Sequence, residues 1–306
     1  MLKRPLAREG HTAVSLGYLD FLVIGPEKCG TSWLDKALRA VLPNALPYAV
    51  KESFFLDRHY HLGCAWHASL FRGQSEVRGE VAPSYFASAS VRERLRALAP
   101  DCKVLVVLRN PYSRMASHVL HAARRGTFSI TAGLSAIPEE VWNEARNSSN
   151  YAEHAEAWIE NFGQERVGFV CYEDIRLQPA RFLNAVLSHI PIEKRIDPGF
   201  AEQISNEVVY AAAVPRSVLL KRLIYRTNRH LEALGFTALV SAIRRSPLRM
   251  LVEKPANDVD GLKIAIVERI SELEDFERAV DFSENALSRD LTHWRRRKMM
   301  ARDVPS

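Results

Sequence analysis

The chain has 306 residues, 47% hydrophobic and 25% charged, enough for one large α/β domain or two small ones around a substantial core. No apolar run approaches the roughly 20 residues needed to span a bilayer, and the N-terminus lacks the continuous apolar stretch of a signal peptide. Four scattered cysteines (Cys29, Cys64, Cys102, Cys171) form neither a CxxC pair nor a metal-ligand spacing with histidine, so reduced thiols in a cytoplasmic protein with no bound metal are expected.

In chain order, Leu19 to Ile24 reads as a short buried strand ended by Gly25-Pro26, and Thr31 opens a helix, TSWLDKALRAVL. Pro43 and Pro47 mark a loop into YAVKESFF, residues 48–55, which reads as a second strand. Residues 60–71 read as irregular chain and a short helix, 76–86 as a strand into a turn, and 91–100 as a helix stopped by Pro100. Val104 to Leu108 is a branched-aliphatic strand suited to the middle of a parallel sheet, and Asn110-Pro111 starts a helix that runs to Gly126. A helix near 151–162, a strand over 166–172 and a helix from about 179 follow. The alternation argues for a central parallel sheet covered by helices on both faces. Beyond residue 200 the pattern is helical, and the expected organisation is a single domain over 1–306, with an α/β core at 19–190 and a mainly helical region at 200–306.

Three places carry chemistry. The first is the loop between strand and helix, Gly25 to Thr31, where converging backbone N–H groups and a helix N-terminus make an anion cradle. Its Gly25-x4-Gly30 spacing matches a P-loop, but Thr31 stands where a nucleotide triphosphatase carries lysine, and the lysine sits earlier, at Lys28. The second is Arg109 with Ser117. Arg109 leaves the C-terminal end of a strand, where open α/β sheets bind ligands, and its guanidinium suits a phosphate. An Arg-Asn-Pro turn could equally serve only to cap a helix. The third is Glu52, which neighbouring phenylalanines and lysines would push in opposite directions toward a base poised for work or toward an ordinary ion pair. His59, His61 and His118 are rivals for the role of base.

The loop with its internal lysine, followed by Gly30-Thr31-Ser32-Trp33, resembles the 5′-phosphosulfate loop of the sulfotransferases that use PAPS (3′-phosphoadenosine 5′-phosphosulfate). LRNPYSRMAS, residues 108–117, is similar to their 3′-phosphate motif. KESFF at 51–55, YHLGCAWHASLF at 60–71 and GEVAPSYF at 79–86 resemble, in order, blocks of the heparan-sulfate-type enzymes. Ser53 replaces a usual proline or valine, Val81 a lysine and His67 a tyrosine. The resemblance covers residues 19–126 and continues weakly through VGFVCYEDIRLQPARFL.

The resemblance implies a P-loop-like three-layer fold, PAPS as donor, and adenosine 3′,5′-bisphosphate (PAP) as product. It makes Glu52 the catalytic base and Lys28 the stabiliser of the transferred group. Lys28, Cys29, Gly30, Thr31 and Ser32 would bind the 5′ end, Arg109 and Ser117 the 3′-phosphate, and Trp33 and Tyr172 the adenine, with Arg216 on a closing loop. A hydroxyl or amine of a small-molecule, glycan or lipid-linked acceptor would receive the sulfuryl group. A nucleotide-dependent phosphotransferase and a non-catalytic 3′-phosphonucleotide binder remain as other readings.

The net charge of +6 is concentrated in Val214–Met250, where eight Lys or Arg residues face one acid, Glu232. No nucleic-acid-binding motif accompanies it, so the expected partner is not a polynucleotide but an anionic or amphiphilic acceptor, with peripheral contact at a membrane surface as one form of it.

Overall fold

The computed structural model describes residues 15–129, 134–207, 213–215, 223–224, 226–228, 253–255 and 259–295. Arg216 and most of the basic stretch Val214–Met250 lie outside them. Two compact units emerge. The first comprises Met1–Arg109, Tyr151–Val209 and Asn285–Arg289; the second comprises Asn110–Asn150, Tyr210–Glu284 and Asp290–Ser306.

In chain order the elements are β1 (Phe21–Ile24), α1 (Thr31–Val41), α2 (Gly63–Ser69), β2 (Gly79–Val81), α3 (Ala89–Leu98), β3 (Lys103–Leu108), α4 (Pro111–Arg124), α5 (Glu139–Asn147), α6 (Tyr151–Phe162), β4 (Val167–Cys171), α7 (Asp174–Leu177), α8 (Pro179–His189), α9 (Pro198–Glu207), β5 (Ala213–Pro215), β6 (Glu253–Pro255), α10 (Val259–Leu273) and α11 (Glu277–Leu287).

The first unit is built on a four-stranded parallel sheet in the order β2-β1-β3-β4. Period-two alternation decides the layering. Phe21, Val23, Leu105 and Val107 join one apolar cluster with Trp33, Leu34 and Leu38 of α1 and Phe182, Leu183 and Val186 of α8. The alternate residues Leu22, Ile24, Val104, Val106 and Leu108 are equally buried, so both faces of the sheet are covered, as the continuous aliphatic run of β3 requires. From β1 the chain crosses to β2 on one side, and from β3 it crosses to β4 on the other. The strand order therefore reverses between β1 and β3, and it is beyond the C-terminal ends of strands at such a reversal that open α/β sheets bind ligands.

In the second unit α4 packs against α5 and α10, and β5 pairs antiparallel with β6. Arg114, fully buried on α4, donates to Ser149 Oγ over 3.0 Å and to the Ala145 carbonyl. Such a charge is tolerable in a core only because its N–H groups are answered.

One expectation needs correction. Residues 48–55 form no strand: Phe54 has φ 53°, which a strand excludes, and the Ser53 N–H goes to a side-chain carboxylate rather than to a ladder. Beyond residue 200 the described residues include the β5–β6 pair beside the helices. Helix α5 was not expected; only Val141 and Ala145 of it are buried, too narrow an apolar face to stand out in sequence.

Candidate active site

The loop after β1 is shaped by close approach. A Cβ on Gly25 would stand 2.8 Å from the backbone of Val107, so only glycine lets the loop leave against β3. Gly30, with φ 75°, caps α1, and a Cβ there would fall 2.6 Å from Ile175 and 2.8 Å from Tyr172. Lys28 shares the left-handed conformation, φ 77°, although it carries a side chain. Gly30, the N-cap of α1, has no side chain with which to cap the helix and the first turn carries no acid, a helix start suited to an anion.

Arg109 follows β3 directly and is 9% exposed. Its Nη1 donates to the Lys28 carbonyl oxygen over 2.7 Å, and its guanidinium lies 4.4 Å over the centre of the Tyr172 ring. Its own carbonyl accepts from the Tyr151 hydroxyl over 2.8 Å. Arg109 Nε is buried with no hydrogen-bond partner among the described residues. An orphaned cationic donor beside an uncapped helix start fits a doubly anionic nucleotide.

Glu52 is tied to the same region by Lys51, whose Nζ donates to Glu52 Oε1 over 3.0 Å and reaches Thr31 Oγ1 at 3.4 Å. Burial pushes the Glu52 carboxyl above the usual glutamate range. The charge and hydrogen bond of Lys51 pull it back, while Glu27 and Glu80 push it further up. One lysine therefore links the candidate base to the first residue of α1, a link that sequence reasoning missed because Lys51 had been weighed only as a neighbouring charge.

Beneath this stretch lies a buried polar set. Glu80 of β2, 1% exposed, accepts from the Ser53 N–H (2.5 Å), the Ser53 hydroxyl (2.9 Å) and His67 Nε2 (3.2 Å). Tyr18 Oη lies 2.7 Å from His67 Nδ1. Burial, with Cys64 and Glu80 adding to it, pushes the Tyr18 hydroxyl above the usual phenol range, so it keeps its proton.

The other expected site residues divide. Cys29 and Thr31 are buried within the loop and first turn, and Ser32 is exposed. Trp33 packs in the core edge-on to Phe182, ring centres 5.8 Å apart, so its ring is committed there. Tyr172 has one face under Arg109 and an edge against Gly30. Ser117 is half-buried on α4, in the second unit. Among the rival bases, His118 also lies in that unit, 3.6 Å from Glu144. His59 packs on Trp66, and burial holds it below the usual histidine range.

Residues 19–210 match the family model described as sulfotransferase domain. Among similar proteins, the bifunctional heparan sulfate N-deacetylase/N-sulfotransferase 1 of Caenorhabditis elegans is 29% identical over 182 residues, covering 55% of this chain and 21% of that protein. Heparan sulfate glucosamine 3-O-sulfotransferase 6 of Homo sapiens is 29% identical over 186 residues, covering 56% of this chain and 52% of its own. A solved sulfotransferase from Alicyclobacillus acidocaldarius aligns with a TM-score of 0.48 at 23% identity, over 61% of this chain and 89% of its own. The chain spans about a fifth to about half the length of the curated relatives it matches.

Proposed function

Because this chain belongs to the sulfotransferase domain family, we propose that it transfers the sulfuryl group of PAPS to a hydroxyl or amine of a glycan or small-molecule acceptor. Both curated relatives are named for heparan sulfate, and the second for its glucosamine, which supports a glycan of that type as the first acceptor to try. The observation that carries the reading is the contact between Arg109 and Lys28, which joins two motifs suited to anions at the C-terminal ends of β1 and β3.

When bound, PAPS supplies an electrophilic sulfur and a good leaving group. The protein supplies position and charge. Lys28 and the N–H groups of the first turn of α1 hold the 5′ anion. Arg109 holds the 3′-phosphate, with Nε as an available donor. The sequence motif, rather than contact geometry, attaches Ser117 to the same phosphate. Glu52 takes the acceptor's proton at Oε2, the oxygen that does not receive the Lys51 bond.

Calorimetry tests the donor. Binding of PAP at least about tenfold tighter than ATP with magnesium is the expected result. The opposite order would favour a phosphotransferase and overturn the reading.

A further inference from the structure

We infer that Glu80 is a positioning residue for the base: it fixes Glu52 through Ser53 and is itself held by His67 and Tyr18. The inference rests on the assignment of Glu52 as the base.

Glu52 lies on a stretch with neither helix nor strand, two residues before Phe54 with its positive φ, so no ladder or helix sets its backbone. The residue beside it is pinned instead. Both hydrogen-bond donors of Ser53, N–H and hydroxyl, go to the Glu80 carboxylate, and Ser53 Oγ accepts from the Phe55 N–H over 3.1 Å. Glu80 can do this because it sits on a strand paired in register with β1, Leu22 opposite Glu80. A side chain anchored on the sheet thereby lends its rigidity to an irregular segment.

A buried carboxylate needs donors, since it can only accept. His67 supplies the third. Because the Glu80 carboxylate can only accept, the ring carries a hydrogen on Nε2 directed at Glu80 Oε2, which leaves Nδ1 of a neutral ring to accept from the Tyr18 hydroxyl. The imidazole is held in place by Phe55, stacked 4.9 Å away, and by the edge of Phe71 at 5.4 Å.

Ser53 and His67 are two positions at which this sequence departs from the pattern it otherwise resembles, and they meet on the same carboxylate. A proline at 53 would have no N–H and would leave Glu80 Oε1 without its 2.5 Å partner. The two departures are therefore one physical arrangement.

The test uses the full chain with labelled PAPS, unsulfated heparosan with free amines as probe acceptor, and PAP calorimetry. Glu80→Ala should lower kcat by about tenfold or more with PAP affinity within about twofold, and Glu80→Gln should restore part of the loss, because its amide oxygen can still accept from the Ser53 N–H. Placed on Glu52→Gln, Glu80→Ala should cost nothing further, because it acts through a carboxylate already removed. If Glu80→Ala does not fold, Ser53→Ala takes its place in the same panel. Unchanged kcat, a parallel loss of PAP affinity, or multiplying losses in the double variant would each overturn the inference. Should Glu52→Gln alone turn over like the parent, the base assignment fails by itself. An arm that needs no acceptor is amide exchange across residues 51–57: faster exchange in the Glu80 variant supports the anchor, and unchanged exchange overturns it.

Discussion

Arg109 and Lys28 stand 81 positions apart, yet the guanidinium of one donates to the carbonyl oxygen of the other over 2.7 Å. Lys28 holds a left-handed backbone that costs a non-glycine residue about 1–3 kcal/mol, so its surroundings must stabilise it. Arg109 is one such support. The strand-to-helix turns after β1 and β3 are in this way parts of one structure, on adjacent parallel strands.

Arg109→Ala should weaken PAP far more than adenosine 5′-phosphate, since only PAP carries the 3′-phosphate. A lost charge-assisted contact costs about 2–3 kcal/mol. Arg109→Lys should recover little, because an ammonium cannot both lie flat on Tyr172 and donate to Lys28. Calorimetry with both nucleotides checks this, and equal losses for the two would make Arg109 purely structural.

The acidic limb of kcat should report Glu52 and lie above the usual carboxylate range, because burial raises its pKa. Lys51 opposes that rise by charge and hydrogen bond. Lys51→Met should therefore move the limb to still higher pH. A limb that stays in place would mean that another group is the base.

How much of this could be read beforehand follows from the range of the forces involved. β1, β3, β4 and their following helices were legible because aliphatic runs, glycines and prolines act locally; the motifs that single out Arg109 and Lys28 are local too, but the contact between the two residues is not. The stretch 48–55 was misread: Ser53 and Phe54 look like strand residues until Glu80, 27 positions away, takes the Ser53 N–H. Trp33 was ambiguous for a related reason, since a tryptophan after a loop suits an adenine or a core, and Phe182 decides where its ring goes. The β5–β6 pair joins residues about 40 positions apart, which no local pattern announces.

Glu52 should cost the fold stability. Its native pKa is raised, so the native state holds the proton more tightly than the unfolded chain, and stability falls as pH rises through that window. Above it the ionised carboxylate is a constant penalty. Glu52→Gln keeps an acceptor for Lys51 and removes the charge. The variant should melt above the parent at about pH 8, and the gap should close toward about pH 3, where glutamate is largely protonated in both states. Melting curves at the two pH values check the sign; a variant less stable at the higher pH would contradict it.

Gly30→Ala should damage the donor site at its root. The left-handed φ and the approach to Tyr172 and Ile175 leave no room for a methyl group. A loss of about 1–3 kcal/mol in stability is expected, with weaker PAP binding. Chemical denaturation and calorimetry measure the two effects, and a variant with neither would show that the loop conformation is not required.

The most direct measurement is transfer itself. The chain is incubated with PAPS and N-deacetylated heparosan, and the polymer is digested and weighed by mass spectrometry, alongside Glu52→Gln and Arg109→Ala. The expected result is a gain of one sulfuryl group, about 80 Da, on glucosamine with the parent chain, and strongly reduced gain with either variant. A gain equal in parent and Glu52→Gln would contradict the assignment of the base. No gain on heparosan or on a panel of simple alcohols and amines, in a chain that does not bind PAP, would contradict the central claim.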